Sequence, residues 1–132
     1  AHGTIDHAPD AVVDAYCRHC ALEFSVRDLA RAALPLAAGG FSPFSRETIM
    51  PGRLARRVNA VMMTCGMYEA TGSFAYRVGL PAKSGVGGGI VAVIPGEAAV
   101  AVWSPGLDAS HNSALGTYAL ARLTDLTRHS IF

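Results

Sequence analysis

The 132 residues suit one domain or part of one and can bury a core. Eleven Lys and Arg against ten Asp and Glu leave a formal charge of +1. No basic field is available to hold a phosphate backbone, which excludes nucleic acid as a partner. Hydrophobic residues reach 51%, an apolar balance that implies an Ala-rich core or apolar faces meant for other protein. The most apolar stretch, Ile90 to Trp103, is broken by Pro95-Gly96-Glu97, so no membrane-spanning helix is expected. Three cysteines, Cys17, Cys20 and Cys65, are too few and too odd for a secreted disulfide scaffold, and a reducing cytoplasmic location is expected. No secretory leader is recognisable, and the start at Ala1 suggests a trimmed or excised piece.

Residues 1 to 8 read as an irregular connection. Pro9 and Asp10 open a helix through Tyr16, with Pro in the first turn, where no N–H is missed. Ser25-Val26-Arg27-Asp28 reads as a capping box. Val26, Leu29, Ala30, Ala33, Leu34 and Ala37 then follow at helical spacing, up to a stop at Gly39-Gly40. Pro35 conflicts with that helix and predicts a kink or an early end. Residues 41 to 50 read as a loop. Pro51 to Thr64 reads as a helix with Leu54, Val58, Val61 and Met62 on its apolar face. The stretch CGMYEATGSFAYRVG reads as irregular or short extended structure.

Ile90 to Ile94 and Ala98 to Trp103 are β-branched and apolar runs, joined by a Pro95-Gly96 turn into an antiparallel hairpin. Trp103 is expected in the core at a strand end. Asn112 or Ser113 caps a last helix with Leu115, Tyr118, Ala119, Leu123 and Leu126 as its apolar face. The order implies an α+β fold with helices packed on an antiparallel sheet. Two strands alone make a poor sheet, so further strands are expected elsewhere in the intact protein.

The segment Pro81 to Gly89, PAKSGVGGG, carries the chemistry. A phosphate loop needs Gly directly before Lys-Ser and another five residues earlier, but Ala82 and Arg77 stand there. The segment also leads into a strand, whereas a phosphate cradle opens a helix. Lys83-Ser84-Gly85 instead resembles the Lys-[Ser/Thr]-Gly run on a sheet-edge strand of serine β-lactamases and penicillin-binding proteins. Glycines around such a strand let a substrate approach the main chain.

The wider context resembles the serine-dependent glutaminases over nearly the whole chain. It comprises Thr64-Cys65-Gly66-Met67-Tyr68, Gly72, Phe74-Ala75 and the run Val78 to Ile90. Tyr16 with Cys20, Asp28-Leu29-Ala30 with Gly39-Gly40, Ser104-Pro105 with Leu107-Asp108, and Asn112-Ser113 fit the same family. The resemblance implies part of a β-lactamase-like fold, with residues 1–132 as the C-terminal portion of one glutaminase domain. It implies hydrolysis of L-glutamine, a small-molecule substrate, to L-glutamate and ammonia. A serine of a Ser-x-x-Lys motif attacks the side-chain amide and an acyl-enzyme forms. It implies that Tyr16 contacts substrate. Tyr68 would bind substrate and move a proton, and the Val86 N–H would donate to the oxyanion. No cofactor is implied, and a homo-oligomer is. Pro35 and Ala38 depart from the family pattern.

No Ser here is followed three positions on by Lys, because Lys83 is the only Lys. The nucleophile, its base and the family's further Asn, Glu and Asn substrate ligands are therefore expected upstream, and this chain alone is expected to be inactive. The alternative is a non-catalytic assembly module derived from a β-lactamase-like fold. Cys17 and Cys20 lack a second pair at zinc spacing, and no metal is expected. The histidines read as loop or surface residues. Ser84 reads as a pocket hydroxyl, and Lys83 as either a neutralising charge or a sheet-edge anchor.

Overall fold

The computed structural model describes residues 3–132. The irregular connection expected over residues 1–8 thus lies partly outside the described residues. Helix α1 (Pro9–Cys20) starts on its proline, with Asp10 in its first turn and Arg18 and His19 in its last, each complementing the helix dipole. It buries none of its residues.

Helix α2 (Val26–Ala37) is capped as expected. The Ser25 Oγ accepts from the Asp28 N–H at 3.1 Å. Pro35 does not end it early. The helix runs two residues further, because a proline so near the end forfeits only the bond to the Arg31 carbonyl, on an exposed turn. Gly39 and Gly40 then turn the chain at φ 64° and 96°. A Cβ on Gly40 would lie 2.0 Å from the Met50 carbonyl oxygen, so the stop is also a close backbone approach. Where a loop was expected, a short hairpin forms from β1 (Phe41–Ser42) and β2 (Glu47–Thr48).

Helix α3 (Gly52–Cys65) buries Ala55 and Asn59, whereas Leu54 and Val61 of the expected face are exposed. The small Ala55 lets the helix approach α2, and the Asn59 Nδ2 donates to the Leu36 carbonyl at 3.0 Å, an acceptor left open at the α2 terminus. The stretch after α3 is helical, not irregular. It comprises a 3₁₀ turn (Tyr68–Ala70) and α4 (Thr71–Arg77), held by burial of Phe74.

Strands β4 (Gly89–Ile94) and β5 (Ala98–Trp103) form the expected hairpin, with Ile94 opposite Ala98 and Gly96 at φ 85°. A third strand forms within this chain, from the glycine-rich segment itself. β3 (Ala82–Ser84) pairs antiparallel with β4, which gives the order β3-β4-β5 and makes β3 an edge. One sheet face packs Ala82, Ile90, Ala92 and Ile94 with Met67, Phe74, Val78, Leu80 and Leu120. Helix α2 packs against β4 and β5.

Helix α5 (Ala114–Thr127) is capped by the Ser113 Oγ, which accepts from the Gly116 N–H at 3.2 Å. Its buried face is Gly116, Leu120 and Thr124; Leu115, Tyr118 and Leu126 of the expected face are exposed. The helix is apolar on more than one side. The sheet is met by the row containing Gly116, whose missing side chain admits the Val102 side chain at 3.1 Å from where a Cβ would stand.

Candidate active site

Strand β3 alternates buried Ala82, exposed Lys83 and buried Ser84, as period-two geometry demands. Its outer edge is tied to the end of α3. The Ser84 N–H donates to the Gly66 carbonyl at 3.1 Å. Gly66 has an ordinary φ of −77°, yet a Cβ there would lie 1.8 Å from the Ala82 carbonyl oxygen. Glycine at 66 is thus required by contact, not by conformation.

Beyond β3 the chain turns tightly. The Gly85 N–H donates to the Gly89 carbonyl and the Gly88 N–H to the Gly85 carbonyl, each at 2.9 Å. Gly88 lies at φ 91°, and a Cβ on it would stand 2.3 Å from the Ser104 carbonyl oxygen. The turn presents Val86, 67% exposed, whose N–H finds no hydrogen-bond partner among the described residues. Trp103 is not in the core. It is 60% exposed, and its Nε1–H donates to the Gly87 carbonyl at 2.9 Å.

The bond between Ser84 and Gly66 brings Tyr68 beside β3. The Lys83 Nζ sits 4.5 Å from the centroid of the Tyr68 ring and also donates to the Ser84 carbonyl. Tyr68 and Val86 line one open cavity of about 420 Å³ with Glu69, Ser110 and His111. A hollow of about 440 Å³ between Arg77, Asp108 and α5 is slightly larger. It holds neither a residue of the glycine-rich turn nor Tyr68, so the chemistry favours the former.

Of the three expected site residues, Tyr68 and Val86 are brought together. Tyr16 is not among the residues lining that cavity. It stands exposed on α1, one turn before Cys20. Its phenol is held above the ordinary value of 10.0 by a hydrogen bond with the Cys20 thiol and by the Cys20 charge. Partial desolvation and the charges of Cys17 and Tyr68 act in the same direction. His111, expected as a bystander, lines the cavity at φ 61°. Asn112, expected only as a cap, donates from its buried Nδ2 to the Met67 carbonyl at 3.1 Å. No sequence signal marks that second role, because its partner is 45 residues away.

The glutaminase family model matches residues 1–132. A glutaminase of Caulobacter vibrioides is 65% identical over 131 residues, which are 99% of this chain and 43% of that protein. A glutaminase of Ralstonia nicotianae is 60% identical over 127 residues, 96% of this chain and 42% of that protein. The chain thus spans less than half the length of these relatives. Among solved structures, a covalent complex of the Bacillus subtilis glutaminase YbgJ with 5-oxo-L-norleucine superposes with a TM-score of 0.90 at 34% identity. That match covers 97% of this chain and 46% of the other. The α+β class and the β-lactamase-like fold expected from the resemblance hold.

Proposed function

The chain belongs to the glutaminase family, and from that premise we propose that the intact protein hydrolyses L-glutamine to L-glutamate and ammonia. A serine of a Ser-x-x-Lys motif, contributed outside these 132 residues, attacks the side-chain amide carbon. The carbonyl π electrons move onto oxygen, and the Val86 N–H donates to that oxyanion. Such a donor lowers the barrier by roughly 3–4 kcal/mol. The motif Lys takes the serine proton and the Tyr68 hydroxyl relays it to the departing nitrogen, ending as the phenol it began as; the oxyanion collapses, the C–N bond breaks and ammonia leaves. Water then adds to the acyl-enzyme ester, and glutamate departs as the serine regains its proton. Tyr16, on α1, contacts the substrate.

The observation that carries this reading is the meeting of Tyr68 and Val86, 18 positions apart (68 to 86), on one cavity beside the β3 edge. The unpartnered Val86 N–H and the Gly-lined turn suit a main-chain donor. The glutamine-analogue complex of the B. subtilis relative supports the substrate. The same reading makes this chain the C-terminal portion of a cytoplasmic domain. It also makes the intact protein a homo-oligomer, supported by the exposed apolar Leu115, Tyr118 and Leu126 on α5.

The test is ammonia release from glutamine. The intact protein is expected to release ammonia and glutamate, and the isolated chain neither. An inert intact protein overturns the activity and favours a non-catalytic module. Ammonia from the isolated chain overturns the division of the site.

A further inference from the structure

Four non-glycine residues among those described have positive φ, and two of them, Tyr68 at 51° and His111 at 61°, line the same cavity. A bulky side chain keeps that conformation only where its surroundings impose it. The surroundings here are specific. Asn112 is 1% exposed, and its Nδ2 donates to the Met67 carbonyl at 3.1 Å and to the Ser110 carbonyl at 3.3 Å. The Asp108 Oδ1 accepts from the Ser110 N–H at 2.9 Å and the Asn112 N–H at 3.0 Å, which closes the 108–112 loop. On the other side, the Thr71 Oγ1 accepts from the Met67 N–H at 3.1 Å and donates to the Tyr68 carbonyl at 2.8 Å.

Peptide planarity gives these bonds their meaning. The Met67 carbonyl belongs to the plane that precedes Tyr68, so its direction sets the Tyr68 φ. The Tyr68 carbonyl belongs to the plane that follows, so its direction sets ψ. Asn112 holds the first plane and Thr71 the second. We propose that Asn112 is a positioning residue for the reaction: with Thr71 it clamps Tyr68 in the left-handed conformation in which it lines the cavity. The same amide fixes the loop that carries His111, so one buried side chain sets two walls of the pocket. This inference rests on the glutaminase reading above.

The experiment compares Asn112→Asp, Asn112→Ala and Thr71→Val in the intact protein. Asn112→Asp keeps the shape but replaces the donor, and Thr71→Val spares the buried site if the Asn112 variants fold poorly. The expected result is a fall in kcat of roughly 10- to 10²-fold, the scale of a misplaced reacting group. KM should change less than kcat, because only the Tyr68 contact with substrate is disturbed and the Tyr16 and Val86 contacts are untouched. Val93→Ala, on the opposite face of β4, serves as the stability control and should lower Tm with kcat unchanged. Variants at 112 and 71 with wild-type kcat, or with losses that only track Tm, overturn the positioning role. Failure of the underlying reading shows separately: Tyr68→Phe with wild-type kcat would remove Tyr68 from the reaction whatever Asn112 does.

Discussion

The indole N–H of Trp103 donates to the carbonyl of Gly87 at 2.9 Å, so the end of β5 holds the turn that carries Val86. Because the tryptophan is mostly exposed, its removal should cost little stability, and its consequence should fall on the turn. Trp103→Phe keeps an aromatic ring and deletes the donor. In the intact protein its kcat should fall about tenfold, a fraction of the roughly 10²–10³ lost with a whole oxyanion donor. Tm should move little. A large fall in Tm with unchanged kcat would assign the bond to folding instead.

Two glycines separate contact from conformation. Gly66→Ala would place a methyl 1.8 Å from the Ala82 carbonyl oxygen and 2.4 Å from the Met62 carbonyl oxygen, both main chain and unable to rotate away. Relief requires moving β3 from α3, and the expected destabilisation is about 3 kcal/mol or more. Gly39→Ala meets no atom within 4 Å and suffers only from its φ of 64°. That costs about 1–2 kcal/mol. Denaturant unfolding of the intact protein should rank the two in that order, and equal costs would refute the contact argument.

Lys83 was legible only as a charge on an edge strand, with its partner undecided. Its ammonium rests on the Tyr68 ring, a contact worth about 0.5–1 kcal/mol at an exposed site. Lys83→Met should therefore lower stability by less than about 1 kcal/mol. It should lower kcat more, because the ring loses its lateral stop. Lys83→Arg, which can stack on the same face, should recover part of the loss. Equal activity in the Met and Arg variants would show that the ring contact has no part in the reaction.

The elements with local signals were readable from sequence: the Ser25 cap of α2, the Pro95-Gly96 hairpin and the Ser113 cap of α5. The stretch 68–77 was not. Thr, Gly and Ser are weak helix formers, and α4 stands because Phe74 enters the core. The face of α5 was misread because apolar residues lie on several sides and the sheet selects the row containing Gly116. Tyr68 and Val86 came from resemblance to a family. Their shared cavity depends on the Ser84–Gly66 bond and on Asn112, which join segments 18 and 45 residues apart. Non-local bonds of that kind leave no periodic trace in a sequence.

Tyr16 offers a titration test. Its phenol is raised above 10.0 first by the hydrogen bond with the Cys20 thiol, then by the Cys20 charge. Raised means that the neutral phenol is favoured in the folded chain. The accompanying stability is fully present below the unfolded value near 10.0 and is lost as pH rises through the higher folded value. The window is therefore strongly alkaline, and at neutral pH Tyr16 is a hydrogen-bond donor. Cys20→Ala should return the Tyr16 titration towards 10.0, read from the ring carbon shifts by NMR. Cys17→Ala should move it less, since Cys17 acts only through its charge. If Cys20→Ala leaves the titration where it was, the thiol does not hold the phenol.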